Sequence, residues 1–161
     1  MNIFEVEAVS GNNGHTVKVP EKILSKITGD KQEKARDVLN DYLYGNIHTD
    51  VYDVENCFSD DAEIEYLEFD SAEEAGLSLC DKGEKGKIKA LLIVISEKKG
   101  NELKTNELLE ILNSLAQKTG LDFERPEILY NVVSESPARF LRLLVQKNSR
   151  ISTAPPFQIF S

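Results

Sequence analysis

Basic residues are missing from a long stretch of this chain. No Lys or Arg occurs between Arg36 and Lys82, and the 45 residues 37–81 carry fourteen of the 28 acidic groups. Tryptophan is absent and cysteine occurs only at positions 57 and 80. Two cysteines so far apart form neither a disulfide framework nor a zinc knuckle, so both are expected as reduced, partly buried thiols. Long apolar runs are also lacking: the longest, residues 90–95 (ALLIVI), has six residues. A membrane span needs about twenty. The start, MNIFEVE, shows no basic leader before an apolar stretch, which sets the expectation of a cytoplasmic protein. No Gly-x-Ser-x-Gly elbow and no Gly-x-x-x-x-Gly-Lys-Ser/Thr phosphate loop is present.

What remains is an ordinary globular composition, with 40% hydrophobic and 29% charged residues in 161. That length suits one domain, residues 1–161, in which residues 1–45 could form a subdomain beside an α/β portion at 62–161. The N-terminal residues alternate around Val6 and Ala8, meet Gly11-Asn12-Asn13-Gly14, and resume with Val17 and Val19, the pattern of a β-hairpin. Pro20 suits a first helical turn, with Ile23, Leu24 and Ile27 as its apolar stripe. A second helix is expected over about residues 31–44, on Ala35, Val38, Leu39, Tyr42 and Leu43. Residues 45–61 read as irregular, the one plausible linker.

From residue 62 the pattern turns to strands and helices in alternation. Ile64 and Tyr66 point one way, and Leu67 and Phe69 take over the opposite phase, which calls for a bulge or a strand buried on both faces. A short helix with Ala72, Ala75 and Leu77 follows, then a polar loop at 81–86 and a central strand over 87–96. The most regular helix runs from about Lys104 to Lys118 and stops at Gly120. Residues 127–133 read as a strand. After Ser136-Pro137 the spacing of Phe140, Leu141, Leu144 and Val145 favours a helix, with a strand as the open alternative. The fold class expected is therefore α+β: an N-terminal β-hairpin and two helices, then alternating strands and helices forming one mixed sheet covered by helices.

The acidic segment is the main functional clue. Its Asp50, Asp53, Glu55, Asp60, Asp61, Glu63, Glu65, Glu73 and Glu74, interleaved with Tyr52, Phe58 and Tyr66, suggest a surface for a basic protein. An acidic face speeds and steers association with a positive partner, and Tyr is a common interface anchor. The leading expectation is thus a non-enzymatic module, an inhibitor, immunity protein or antitoxin, that neutralises a nuclease, toxin or nucleic-acid-binding protein. It implies no catalytic residue, no cofactor, no metal, and no direct contact with nucleic acid or membrane. A solvated, solubilising face is the plain alternative.

Two other functions compete. Asp60, Asp61, Glu63 and Glu65 can place two or three carboxylates on one strand face, as a metal-dependent phosphate-processing enzyme requires. A Cys57–His48 nucleophilic pair has no local signature to support it. The stretch TVKVPEKIL from Thr16, with the helix that ends at Leu43, resembles the strand-helix-helix layout of ribbon-helix-helix DNA-binding proteins. That resemblance spans about thirty residues and implies a transcriptional regulator whose Thr16 and Lys18 read bases from a ribbon shared by two subunits. The tail FQIF at 157–160 is too apolar to stand exposed without a reason, and is expected to dock on a sheet edge or a partner.

Overall fold

The computed structural model describes residues 6–10, 16–27, 29–59, 61–81, 88–98, 102–122, 127–134 and 139–147. The hairpin turn at 11–14, His15, Asp60, the 82–87 loop and the 157–160 tail lie outside the described residues. Eleven elements follow one another: β1 (Val6–Ser10), β2 (Thr16–Pro20), α1 (Glu21–Leu24), α2 (Gln32–Leu43), α3 (Val51–Cys57), β3 (Ile64–Phe69), α4 (Ala72–Asp81), β4 (Ile88–Glu97), α5 (Thr105–Thr119), β5 (Ile128–Ser134) and β6 (Leu141–Lys147).

Two sheets form, and this corrects the expected layout. β1 and β2 pair antiparallel in a two-stranded ribbon of their own, while the central sheet is four-stranded with order β3-β6-β4-β5. Three helices, not two, precede the first strand of that central sheet. β6 is antiparallel to both β3 and β4, and β5 runs parallel to β4. The expectation of a helix after Pro137 fails because β6 is buried on both faces, so its apolar residues run together with no strand alternation to betray them. The expected linker contains α3, which starts where the Asp50 carboxylate accepts the Tyr52 N–H at 2.9 Å.

The sheet is a partition between two apolar layers. Leu91, Ile93 and Ile95 of β4 face α4 and α5, meeting Ala75, Leu79, Leu112 and Leu115. Ala90, Leu92 and Val94 face the other way, toward Leu24, Val38, Leu39, Val54 and Phe58. β3 resolves its phase change without a bulge: Ile64 and Tyr66 enter the second layer while Leu67 and Phe69 pack on the first. The register irregularity in the sheet sits instead between Ile88 and Ala90 of β4. α5 ends in the left-handed conformation at Gly120, φ 78°, with the Gly120 N–H returning to the Ala116 carbonyl at 2.8 Å.

Polar groups tie α2 and its following loop to this sheet. Arg142 of β6, 4% exposed, donates from Nη2 to Oδ2 of Asp41 at 2.6 Å, across the interface with α2. Asn131 of β5, fully buried, donates to the carbonyls of Tyr42 (2.6 Å) and Ile47 (2.9 Å) and accepts from the Ile47 N–H (2.9 Å). A Cβ at Gly45 would stand 2.6–2.7 Å from that amide, so only glycine lets the 45–47 loop lie against Asn131. Asn46 N–H then caps the edge of β5 at the Val132 carbonyl, 2.7 Å away.

Candidate functional site

Two of the expected partner-binding residues lie in the core. Phe58 is fully buried and Tyr66 is 7% exposed, so both are core residues and neither can anchor a partner. Tyr66 donates its hydroxyl to Glu68 at 2.7 Å, and burial with this bond raises its pKa well above the usual phenol value. Tyr52 alone of the three aromatics is open, at 55%. Asp50 and Asp53 sit at the start of α3, and Glu55 is half-buried on the same helix. Asp61 and Glu63 are exposed before β3, Glu65 lies half-buried on that edge strand, and Glu73 and Glu74 open α4.

Cations from distant sequence neutralise several acids of the segment. Arg139 donates from Nε to Asp70 at 2.9 Å and stands 3.7 Å from both Glu68 and Glu74. Lys34 approaches Glu68 at 3.8 Å, and Arg142 holds Asp41. The Tyr66 hydroxyl, Lys34 and Arg139 hold the Glu68 carboxyl below the usual range, and the Arg139 hydrogen bond does the same for Asp70. No group of three metal-ligating side chains occurs among the described residues, so the Asp61, Glu63, Glu65 arrangement does not preform a metal centre. Cys57 is buried against the Glu127 carbonyl, and desolvation pushes its thiol up to about 12, which removes it as a nucleophile at neutral pH. β2 is already paired with β1 in its own chain and α1 has four residues, so the shared DNA-reading ribbon does not form.

Groups that sequence reasoning passed over converge elsewhere. A cavity of about 350 Å³ opens at the C-terminal end of β4, between the end of β3, the start of α5 and the residue before β6. Asp70, Ser96, Glu97, Lys98, Glu102, Leu103, Glu107 and Phe140 line it. Its position is set by topology: β4 runs parallel to β5 through the crossover helix α5, and clefts beyond the carboxyl ends of such strands are the usual ligand sites of α/β sheets. The last residue of β4, Glu97, is the hub. Its carboxylate accepts from the Leu103 N–H (2.7 Å), the Ser134 hydroxyl (3.0 Å) and the Asn46 amide (3.3 Å). Asn46 also donates to Ser134 at 2.9 Å, so α5, β5 and the 45–47 loop all fix one carboxylate. At the helix start, Glu107 accepts from the Lys104 N–H at 3.0 Å.

Ser96 is 3% exposed, lines the cavity, and its hydroxyl has no hydrogen-bond partner among the described residues. Buried hydroxyls are nearly always satisfied, and exceptions mark functional or hydrated places. Four carboxylates therefore share one concavity with Lys98, and Arg139 is bonded to Asp70 at its border. The signal available in the sequence was Glu97, an acid at the end of the most apolar strand.

Neither a family model nor a curated protein matches the sequence. Solved structures do. An FtsZ W319Y mutant from M. jannaschii is 19% identical with a TM-score of 0.49, over 71% of this chain and 37% of that one. An FtsZ dimer from the same organism is 19% identical at 0.44, over 77% and 41%. CetZ from Methanosaeta thermophila strain DSM 6194 is 15% identical at 0.42, over 72% and 37%. The chain thus spans about two fifths of the length of these structures, and scores this low transfer no residue role to it. With the acidic segment divided among ion pairs and two of its three aromatic anchors in the core, the neutralising-inhibitor reading is withdrawn. The leaning against an enzyme goes with it. No described helix is long and apolar enough to cross a membrane.

Proposed function

We propose that this chain is a metal-dependent phosphate-processing domain working at the Glu97 cleft, with acids other than Asp60, Asp61, Glu63 and Glu65. The observation that carries it is the convergence of Glu97, Glu102, Glu107 and Asp70 with Lys98 and Arg139 around one cavity at the start of a 15-residue helix. Carboxylates alone would repel a phosphate. Mg²⁺ reverses that sign, and it characteristically binds through one or two carboxylates plus the phosphate oxygens of its substrate. A preformed cage of three protein ligands is therefore unnecessary. When bound, the ion withdraws charge from the phosphoryl oxygens and the leaving oxygen.

The chain's own groups divide the remaining work. Glu97, immobilised by three donors, is held in position to orient the ion, so little ordering is left to occur on binding. Lys98 and Arg139 supply positive charge to phosphate oxygens, and the positive end of α5 faces the same cavity. The Ser96 hydroxyl supplies a hydrogen bond that the protein itself leaves unused.

A phosphate-release assay with Mg²⁺ across phosphomonoesters and nucleoside triphosphates tests this. Release by the wild type, lost with EDTA and reduced at least tenfold in Glu97→Gln, is the expected outcome. Release equal in wild type and Glu97→Gln, or none from any phosphate class, rejects the proposal.

A further inference from the structure

Both oxygens of the Glu97 carboxylate are held. Oε2 accepts from the Leu103 N–H at 2.7 Å, and Oε1 accepts from the Ser134 hydroxyl at 3.0 Å and from Asn46 Nδ2 at 3.3 Å. We propose that Asn131, a fully buried residue that lines no part of the Glu97 cleft, is a positioning residue for this carboxylate, acting through the 45–47 loop and Asn46. Its consequence for ligand binding rests on the phosphate reading of the cleft; the positioning itself does not.

The chemistry of its carboxamide singles Asn131 out. An Asn side chain has two N–H donors and an oxygen with two lone pairs. All four are used here: Nδ2 donates to the carbonyls of Tyr42 (2.6 Å) and Ile47 (2.9 Å), and Oδ1 accepts from the N–H groups of Ile47 (2.9 Å) and Val132 (2.7 Å). Leu of similar size offers neither function, and an ionised Asp offers no donor. Three of the four bonds go to the end of α2 and the residues just after it, which are neither helix nor strand by position 47. Gly45 packs on the same amide.

Asn46 therefore sits on a short span fixed on both sides. Ile47 is tied to Asn131, and the Asn46 N–H is tied to the Val132 carbonyl at 2.7 Å. Asn46 is exposed, and ordering an exposed side chain costs rotamer freedom. With its backbone already fixed, its amide reaches both Ser134 at 2.9 Å and Glu97. Because Asn46 Nδ2 donates to the Ser134 oxygen, the Ser134 proton is turned toward Glu97 Oε1. Asn131, Ile47, Asn46, Ser134 and Glu97 thus form one connected route from core to cleft. Groups that orient a metal-binding carboxylate from behind typically change metal affinity by about 10–100-fold.

¹H–¹⁵N spectra and a Mg²⁺–pyrophosphate titration of the full chain test this in Asn131→Ala, Asn46→Ala and the double variant. Without Mg²⁺, the Leu103 amide signal should move in both single variants, since that N–H bonds Glu97 and neither asparagine. Mg²⁺-dependent pyrophosphate binding should weaken about tenfold in each. The double variant should bind within about twofold of Asn46→Ala, because a residue acting through Asn46 has nothing left to move there. Its Tm should still fall with the damaged core, which separates packing from positioning. Gly45→Ala, which drives a methyl against the same amide, is the second lever and should reproduce the Leu103 shift even where Asn131→Ala fails to fold. An unmoved Leu103 signal in the folded variants, or losses that multiply in the double variant, would overturn the assignment. Binding unchanged in Asn131→Ala but weakened in Glu97→Gln overturns it as well, and leaves the phosphate reading standing. A shifted Leu103 amide in a protein that binds no pyrophosphate bears out the positioning and rejects the phosphate reading.

Discussion

Replacing Asp41 by Ala would test how β6 tolerates a buried charge at its second residue. Arg142 is 4% exposed, lies between apolar neighbours on a central strand, and meets Asp41 at 2.6 Å. Removing the acid leaves the guanidinium buried without its counter-charge, which costs about 3–5 kcal/mol. Losing an acid near the negative end of α2 returns only about 0.3–1 kcal/mol, too little to reverse the sign. With a urea m-value of about 2 kcal/mol/M, the unfolding midpoint should fall by about 1.5–2.5 M. The double variant Asp41→Leu with Arg142→Met removes both charges and fills the space. It should recover to within about 1 kcal/mol of the wild type, since apolar replacements of buried pairs are often neutral. Urea denaturation followed by circular dichroism reads all of these. A midpoint loss below about 0.5 M for Asp41→Ala, or a double variant as unstable as the sum of its singles, would refute the reasoning.

Other perturbations probe the surrounding structure. Tyr66→Phe removes the hydrogen bond that most lowers the Glu68 pKa, so an NMR titration of Glu68 should shift upward toward the ordinary glutamate value of 4.5. Because that pKa is depressed in the folded state, the stability Glu68 contributes is present above about 4.5 and lost as pH falls through its folded value. The variant should therefore show less loss in that acid window. Gly45→Ala drives a methyl to 2.6–2.7 Å from the Asn131 amide and should cost about 1–3 kcal/mol in thermal unfolding. The Cys57 thiol, pushed up to about 12 by burial, should resist iodoacetamide at pH 8 in the native protein and react readily in urea, as read by mass spectrometry.

Much of the fold was legible because local pattern and tertiary context agree there. The run at 90–95 forms the central strand, and Gly120 ends α5 where its left-handed φ predicts. Other parts depend on partners remote in sequence. Leu141, Leu144 and Val145 fall at helical spacing, and the group that accommodates Arg142 among them on a buried strand is Asp41, 101 residues away. The acidic run looked like one surface because Arg139 and Lys34, which pair with it, lie outside it. α3 escaped notice since its seven residues bury only Val54 and Cys57, leaving a faint apolar period. The cleft was hidden for a related reason: Glu97, Glu102 and Glu107 sit among basic residues, and only the sheet order brings Asp70 to them.

The central claim is that the Glu97 cleft takes phosphate through Mg²⁺. Isothermal titration of the wild type with inorganic pyrophosphate, in the presence and absence of Mg²⁺, tests it most directly, with Glu97→Gln as the paired variant. The account predicts binding that requires the metal and weakens at least tenfold in Glu97→Gln. Binding that is indifferent to Mg²⁺ or to Glu97, or no heat up to millimolar pyrophosphate and metal, would contradict it.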